Sequence, residues 1–356
     1  MKNLIWPGLT TRASPDTTRA AAPRVRLPPT PKPIPPPRVA LPGQPGQPVT
    51  LVGGVTLNPG DSSEVNTDAF LNPTHFPLEV RELKWGLATP SAVYTGSLFS
   101  GFTVDATLRL GPVGRDAAGV DQFEALTAAP VPLTLLGRCV DPGLESVVQT
   151  QIVGAGSVVT LDEPLYIPPG QGLSARFGHR NLFAAPITAT LAVSGKLVDK
   201  MPAKRAVPYW APFLPPAYSQ VGSGNTTDLV RVSTERDLAN LTGGPLRVRR
   251  ITGRIGVYTA SALYTLLSDN GDGTFFAKLL QITSMRASNG CVIVKDAMPF
   301  GAVFPAWTLA LESPFVMQPK SYINVALKLT AMAGTNVVNQ IQPGMCLCGY
   351  RDFGGK

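Results

Sequence analysis

Side chains able to carry acid–base or metal chemistry are few in this chain. Only two histidines, His75 and His179, occur in 356 residues. His75 sits between Pro73 and Pro77, and His179 follows Gly178 where an extended run ends, so both read as surface or turn residues with no catalytic partner pattern. The cysteines, Cys139, Cys291, Cys346 and Cys348, are too scattered for a disulfide framework. Cys346 and Cys348 share one face of an extended segment, which predicts two buried free thiols. Asp269-Asn270-Gly271-Asp272-Gly273-Thr274 resembles a calcium loop without its bidentate glutamate, and its Asn-Gly and Asp-Gly steps fit a hairpin turn better. Asp162-Glu163 and Glu312 stand at the starts of strands, where solvated charge is expected. Asn225-Thr226-Thr227 and Asn240-Leu241-Thr242 fit the glycosylation triplet, which is common by chance. The sequence has no nucleophile elbow, HExxH pair, CxxC pair or phosphate loop. It predicts no enzyme, no metal and no cofactor, so function must be read from architecture.

Composition points the same way. The chain holds 36 prolines and 35 glycines, is 44% hydrophobic and only 15% charged, and carries a net charge of +8. That is too apolar for wholesale disorder and too proline-rich for a helical bundle. No apolar run is long enough for a membrane span, and Pro7 interrupts the apolar start, so no ordinary signal peptide is expected. Residues 1–50 hold Lys2, Arg12, Arg19, Arg24, Arg26, Lys32 and Arg38 against Asp16, hence +6, together with 13 of the prolines. Such a segment runs extended, largely as polyproline II. We read residues 1–49 as an arm that lashes neighbouring subunits through the apolar tip Leu4, Ile5 and Trp6 and through Arg24, Arg26 and Arg38. Phosphate neutralisation on nucleic acid ranks second for this arm, and plain disorder third.

The elements that must position everything else come in two copies. Pro77-Leu78-Glu79-Val80-Arg81-Glu82-Leu83 matches Pro245-Leu246-Arg247-Val248-Arg249-Arg250-Ile251, after similar lead-ins from Asp68 and Asp237. Leu161–Pro169 matches Leu311–Pro319, and Leu191–Gly195 matches Met345–Gly349, in the same order. The first copy carries extra residues, placed between Gly111 and Pro132. Within each copy hydrophobic residues alternate with period two, as in Phe102 to Leu110 and Ile187 to Gly195, which predicts antiparallel sandwich strands. The phase slips once in each PLxVRx[LI] strand, which predicts bulges near Glu82 and Arg250. Ala117–Ala128 and Thr234–Asn240 are the only short helical candidates. The domains are then 50–198 and 226–356, joined by 199–225, a proline-rich strap whose Tyr209, Trp210, Phe213 and Tyr218 pack across them.

Two tandem antiparallel β-sandwiches with an extended proline-rich arm resemble the double jelly-roll capsid proteins of icosahedral bacteriophages. The resemblance is carried by LDEPLYIPPGQGLSARF and LESPFVMQPKSYINVAL, in which an apolar-proline strand leads through a turn into an alternating strand. It covers residues 50–356 and implies an all-β, non-enzymatic virion protein assembled in the host cytoplasm. Its implied partners are copies of itself, a trimer among the options, and other capsid proteins. Two further readings compete: a head cement, decoration or vertex protein of a tailed phage, and a glycan-binding spike or receptor-binding β-sandwich with Trp85, Trp210 and Trp307 as a sugar platform.

Overall fold

A computed structural model describes residues 43–89, 104–115, 121–137, 139–140, 153–180, 186–216, 218–221, 229–259, 262–265, 280–329 and 339–354. The arm residues Leu4, Ile5, Trp6, Arg24, Arg26 and Arg38 lie outside these, as do Asp269–Thr274 and Asn225–Thr227. The first half contains β1 (Pro48–Leu57), β2 (Ser62–Glu64), β3 (Leu78–Thr89), β4 (Val104–Arg115), β5 (Asp121–Ala125), β6 (Val131–Pro132), β7 (Cys139–Val140), β8 (Val153–Ile167), β9 (Gly172–His179) and β10 (Ile187–Leu197). The second contains β11 (Lys204–Phe213), β12 (Tyr218–Val221), β13 (Leu229–Val232), β14 (Leu246–Thr259), β15 (Ala262–Thr265), β16 (Leu280–Ala287), β17 (Val292–Val294), β18 (Met298–Pro299), β19 (Thr308–Met317), β20 (Ile323–Leu329) and β21 (Asn339–Gly354).

In the first half one sheet runs β1-β10-β3-β8 and the other β2-β9-β4-β5; in the second the same places are taken by β11-β21-β14-β19 and β13-β20-β16-β17. Counting the eight principal strands of each half in chain order, one sheet pairs them 1-8-3-6 and the other 2-7-4-5. That wrapping of antiparallel pairs is the jelly roll, found in viral capsid proteins, lectins and cupins among others. The alternation seen in the sequence is borne out in the packing. Along β10, Ile187, Ala189, Leu191 and Val193 are buried while their neighbours are half-exposed. Register shifts interrupt β3 between Val80 and Glu82 and β14 between Val248 and Arg250, where the phase slips place them.

The duplication extends to a buried corner. Asn72 Nδ2 donates to the carbonyls of Phe76 (2.9 Å) and Ile167 (3.0 Å), and its Oδ1 accepts from the Thr74 amide and hydroxyl. Asn240 Nδ2 donates to Gly244 O and Met317 O, both at 2.9 Å, and its Oδ1 accepts from the Thr242 amide and hydroxyl. The Asn-x-Thr triplet at 240 is thus a structural corner whose amide nitrogen is already committed.

Three expectations change. The segment 199–225 is not a strap, because β11 lies within it as the first strand of the second sandwich, paired with β21 over its whole length. Residues 121–125 form a strand, not a helix, and within 234–240 residues 235–238 form turns and Ala239 bridges to Tyr322. His179 is 3% exposed, because β9 carries its end under the neighbouring loops, whereas His75 is exposed.

Candidate functional site

A group of charged and aromatic side chains lies where the two sandwiches meet. β14 presents Arg247, Arg249 and Arg250, and β8 presents Asp162 and Glu163. Arg247 and Arg249 both donate to Glu163, at 3.0 and 3.1 Å. Arg250 grips Asp162 with Nε and Nη2. Arg351 on β21 pairs with Glu124 on β5 and donates to Ala125 O at 3.0 Å. The Asp162 amide donates to the Tyr350 hydroxyl at 2.7 Å, and burial pushes that hydroxyl's pKa well above its ordinary value. The sequence placed Asp162 and Glu163 in solvent, and their arginine partners, more than 80 residues away, gave no local signal. The register shift at Arg249 matters here. It breaks the alternation, so that Arg249 and the adjacent Arg250 both reach across the seam.

Under this ionic row lies a second contact layer. The Trp210 indole N–H donates to Leu136 O, and the Thr252 hydroxyl donates to Leu135 O at 2.7 Å. Cys348 Sγ lies 3.9 Å from both of those carbonyls. Val207, Trp210, Cys346 and Cys348 belong to the second sandwich by strand but pack into the core of the first. Both thiols are buried and free, as the spacing predicts, and burial raises that of Cys346. The backbone closes the seam as well. Thr127 pairs in parallel with Trp210, with Trp210 N donating to Leu126 O and Ala128 N to Trp210 O, each at 2.8 Å. Charges held by several partners in a half-dry seam resist shearing more than isolated surface pairs do, so the two sandwiches form one block.

Of the four aromatic residues expected to pack across the domains, Trp210 joins the first core while Tyr209, Phe213 and Tyr218 join the second. They do so as strand residues. The three tryptophans proposed as a sugar platform are not brought together on a surface. Trp85 and Trp210 are buried, and Trp307 is half-buried with the Arg254 guanidinium 5.4 Å from its ring centroid.

A separate cavity of about 350 Å³ opens beside β4 and β9, lined by Asp61, Asp105, Arg176, His179 and Arg180 among others. Burial raises the Asp105 pKa to about 6, against the pull of Arg180, 3.5 Å away. Among the described residues no cluster of three or more His, Cys, Asp or Glu side chains is placed to hold a metal ion.

The fold is the double jelly roll. No known family matches the sequence, and no curated protein matches it. Among solved structures, one chain of the Sulfolobus Turreted Icosahedral Virus structure aligns over 86% of this chain and 91% of its own, with 11% identity and a TM-score of 0.45. The major capsid protein P2 of Bacteriophage PM2 aligns over 86% and 98%, with 10% identity and a TM-score of 0.30. A chain of the Sputnik virophage aligns over 88% and 87%, with 10% identity and a TM-score of 0.29. The fold assignment rests on the strand order above.

Proposed function

We propose that the chain is a non-enzymatic shell subunit of an icosahedral bacteriophage, assembled from copies of itself into the virion in the host cytoplasm. The observation that carries this reading is the seam. Two like sandwiches are locked side by side by hydrogen-bonded charge and a shared core, giving a preformed piece of a ring of sandwiches. Three such blocks, joined head to tail, make a six-sandwich ring in which intramolecular and intermolecular joints alternate. The arm serves as a lash. Its proline-rich composition restricts the chain before binding, so little entropy is lost when it is laid on a neighbour, with Leu4, Ile5 and Trp6 as the anchor and Arg24, Arg26 and Arg38 along the cord.

The test is electron microscopy and mass photometry of the purified full chain, alongside a variant lacking residues 1–42. The reading expects trimers and larger particles from the full chain, and trimers that fail to build particles from the truncation. A full chain that stays monomeric at every concentration overturns the shell reading. Unchanged particle formation by the truncation overturns the lash.

A further inference from the structure

β1 and β11 hold the same place in their sandwiches, yet their surroundings differ. Ser194-Gly195 matches Cys348-Gly349 in the repeat, and Thr50 faces Ser194 as Trp210 faces Cys348. Thr50 and Trp210 are therefore counterparts, and Val52 corresponds to Pro212. On β11 the last seven residues are all buried, Tyr209, Ala211 and Phe213 in the core of their own sandwich and Val207 and Trp210 in that of the first, and Trp210 uses its backbone N–H and C=O on the Leu126–Ala128 segment. On β1 every second residue is exposed, Val52 by 59%, and among the described residues no strand pairs on its outer side.

The segment that covers β11 also has a counterpart. Leu126 lies opposite Leu108, which faces Ala175; Val294 lies opposite Met285, which faces Val325. In both halves the chain then runs a few residues to a short strand on the same neighbour, β6 on β4 and β18 on β16. Lys295 and Asp296 thus correspond to Thr127 and Ala128. Thr127 is buried and Ala128 half-buried against the other sandwich, whereas Lys295, Asp296, Ala297 and Met298 are all exposed. One molecule carries both halves of a joint it makes once internally and leaves open at its two ends.

We infer that the open edge of β1 is the docking site for the Val294–Asp296 segment of a second copy of this chain. Lys295 of one copy lies parallel to Thr50 of the next; Thr50 N–H donates to Val294 O, and Asp296 N–H donates to Thr50 O. Val52 and Met298 supply apolar area at the joint. The contact is heterologous, so it closes into a ring or grows as a filament. It does not copy the ionic row of the seam. Arg247, Arg249 and Arg250 are matched by Glu79, Arg81 and Glu82, and Asp162-Glu163 by Glu312-Ser313. With Glu82 and Glu312 where the seam has an Arg–Asp pair, the joint between copies is weaker than the one within a copy. Subunits separate without parting their sandwiches.

This inference rests on the shell reading, and its test separates the two. Full-length Thr50→Pro and Asp296→Pro each remove one inter-copy donor, and Val52→Glu places a charge on the patch. Mass photometry over a concentration series gives the dissociation constant of the oligomer, and circular dichroism confirms folding. Each folded variant is expected to raise that constant at least about tenfold; Val52→Glu keeps the test decisive if a proline variant does not fold. Wild-type oligomers left unchanged by the folded variants overturn this joint and leave the shell reading standing. Sensitivity at Thr50 and Val52 without sensitivity at Asp296 also overturns it, because another segment, such as the arm, then occupies the edge. A wild-type chain that never oligomerises overturns both.

Discussion

Arg250 on β14 clasps Asp162 on β8 with two guanidinium nitrogens, joining residues from different sandwiches across a seam where the arginine side chain is 12% exposed. Removing either partner strands the other charge in a half-dry site. Arg250→Met and Asp162→Asn are each expected to destabilise the protein by about 2 kcal/mol, and the double variant by clearly less than their sum, with a coupling of about 1–2 kcal/mol. Urea unfolding of the four proteins gives this cycle. Independent additivity would show that the pair does not hold the seam.

Trp210 contributes both area and a hydrogen bond, and the two can be parted. Trp210→Phe retains most of the apolar contact but leaves the Leu136 carbonyl without the indole donor. A buried acceptor losing its partner costs about 1–3 kcal/mol. Heating the variant is expected to split one unfolding transition into two, because the loss falls on the joint rather than within either core. Differential scanning calorimetry measures it, and a single, uniformly lowered transition would place Trp210's role inside one core.

The duplication was legible because it is written locally, in period-two alternation, paired prolines and the phase slips that became the register shifts at Arg81 and Arg249. β11 was not. Its Pro208 and Pro212 looked like strap residues, yet they share the parity of Trp210, whose amide points away from β21. Proline is tolerated on an edge strand where its missing N–H faces outward, and Pro48 takes the same place on β1. Asp162 and Glu163 depart from the sequence expectation for a different reason: charge looks solvated until its partners are known, and those are remote in sequence. His179 departs likewise, since burial at a strand end depends on loops that local pattern does not reveal.

Asn72 and Asn240 are predicted to be equivalent in energy as well as geometry. Each donates to two carbonyls and accepts from one amide and one hydroxyl. Truncation leaves several buried groups unpaired, so Asn72→Ala and Asn240→Ala should each cost about 3 kcal/mol. Chemical denaturation tests this, and a cost under about 1 kcal/mol at either site would mean that water replaces the corner.

The turn beside that corner differs between the copies. Gly170 and Lys320 occupy matching positions with φ of +73° and +65°, and each amide donates to the corner asparagine's carbonyl. A lysine there bears the left-handed penalty that glycine avoids. Lys320→Gly is expected to stabilise the second sandwich by about 0.5–1 kcal/mol, read as a raised melting temperature. Gly170→Lys should lower it.

Asp105 makes stability depend on pH in the direction opposite to a carboxylate whose pKa an ion pair depresses, because burial outweighs its pairing with Arg180. Its pKa rises from 3.8 to about 6 on folding, chiefly through burial. Between those values the folded state holds a proton that the unfolded chain releases, so stability falls as pH climbs through that window. The contribution is fully present below about pH 4 and lost above about pH 6, at a cost of no more than roughly 3 kcal/mol. Asp105→Asn removes the titration and keeps the shape. The variant should match the wild type at pH 3.5 and exceed it at pH 7.5, with the gap opening between pH 4 and 6 in denaturation series. A gap of opposite sign at pH 7.5 would mean that Arg180 outweighs burial and that the carboxylate stabilises the fold as an ion.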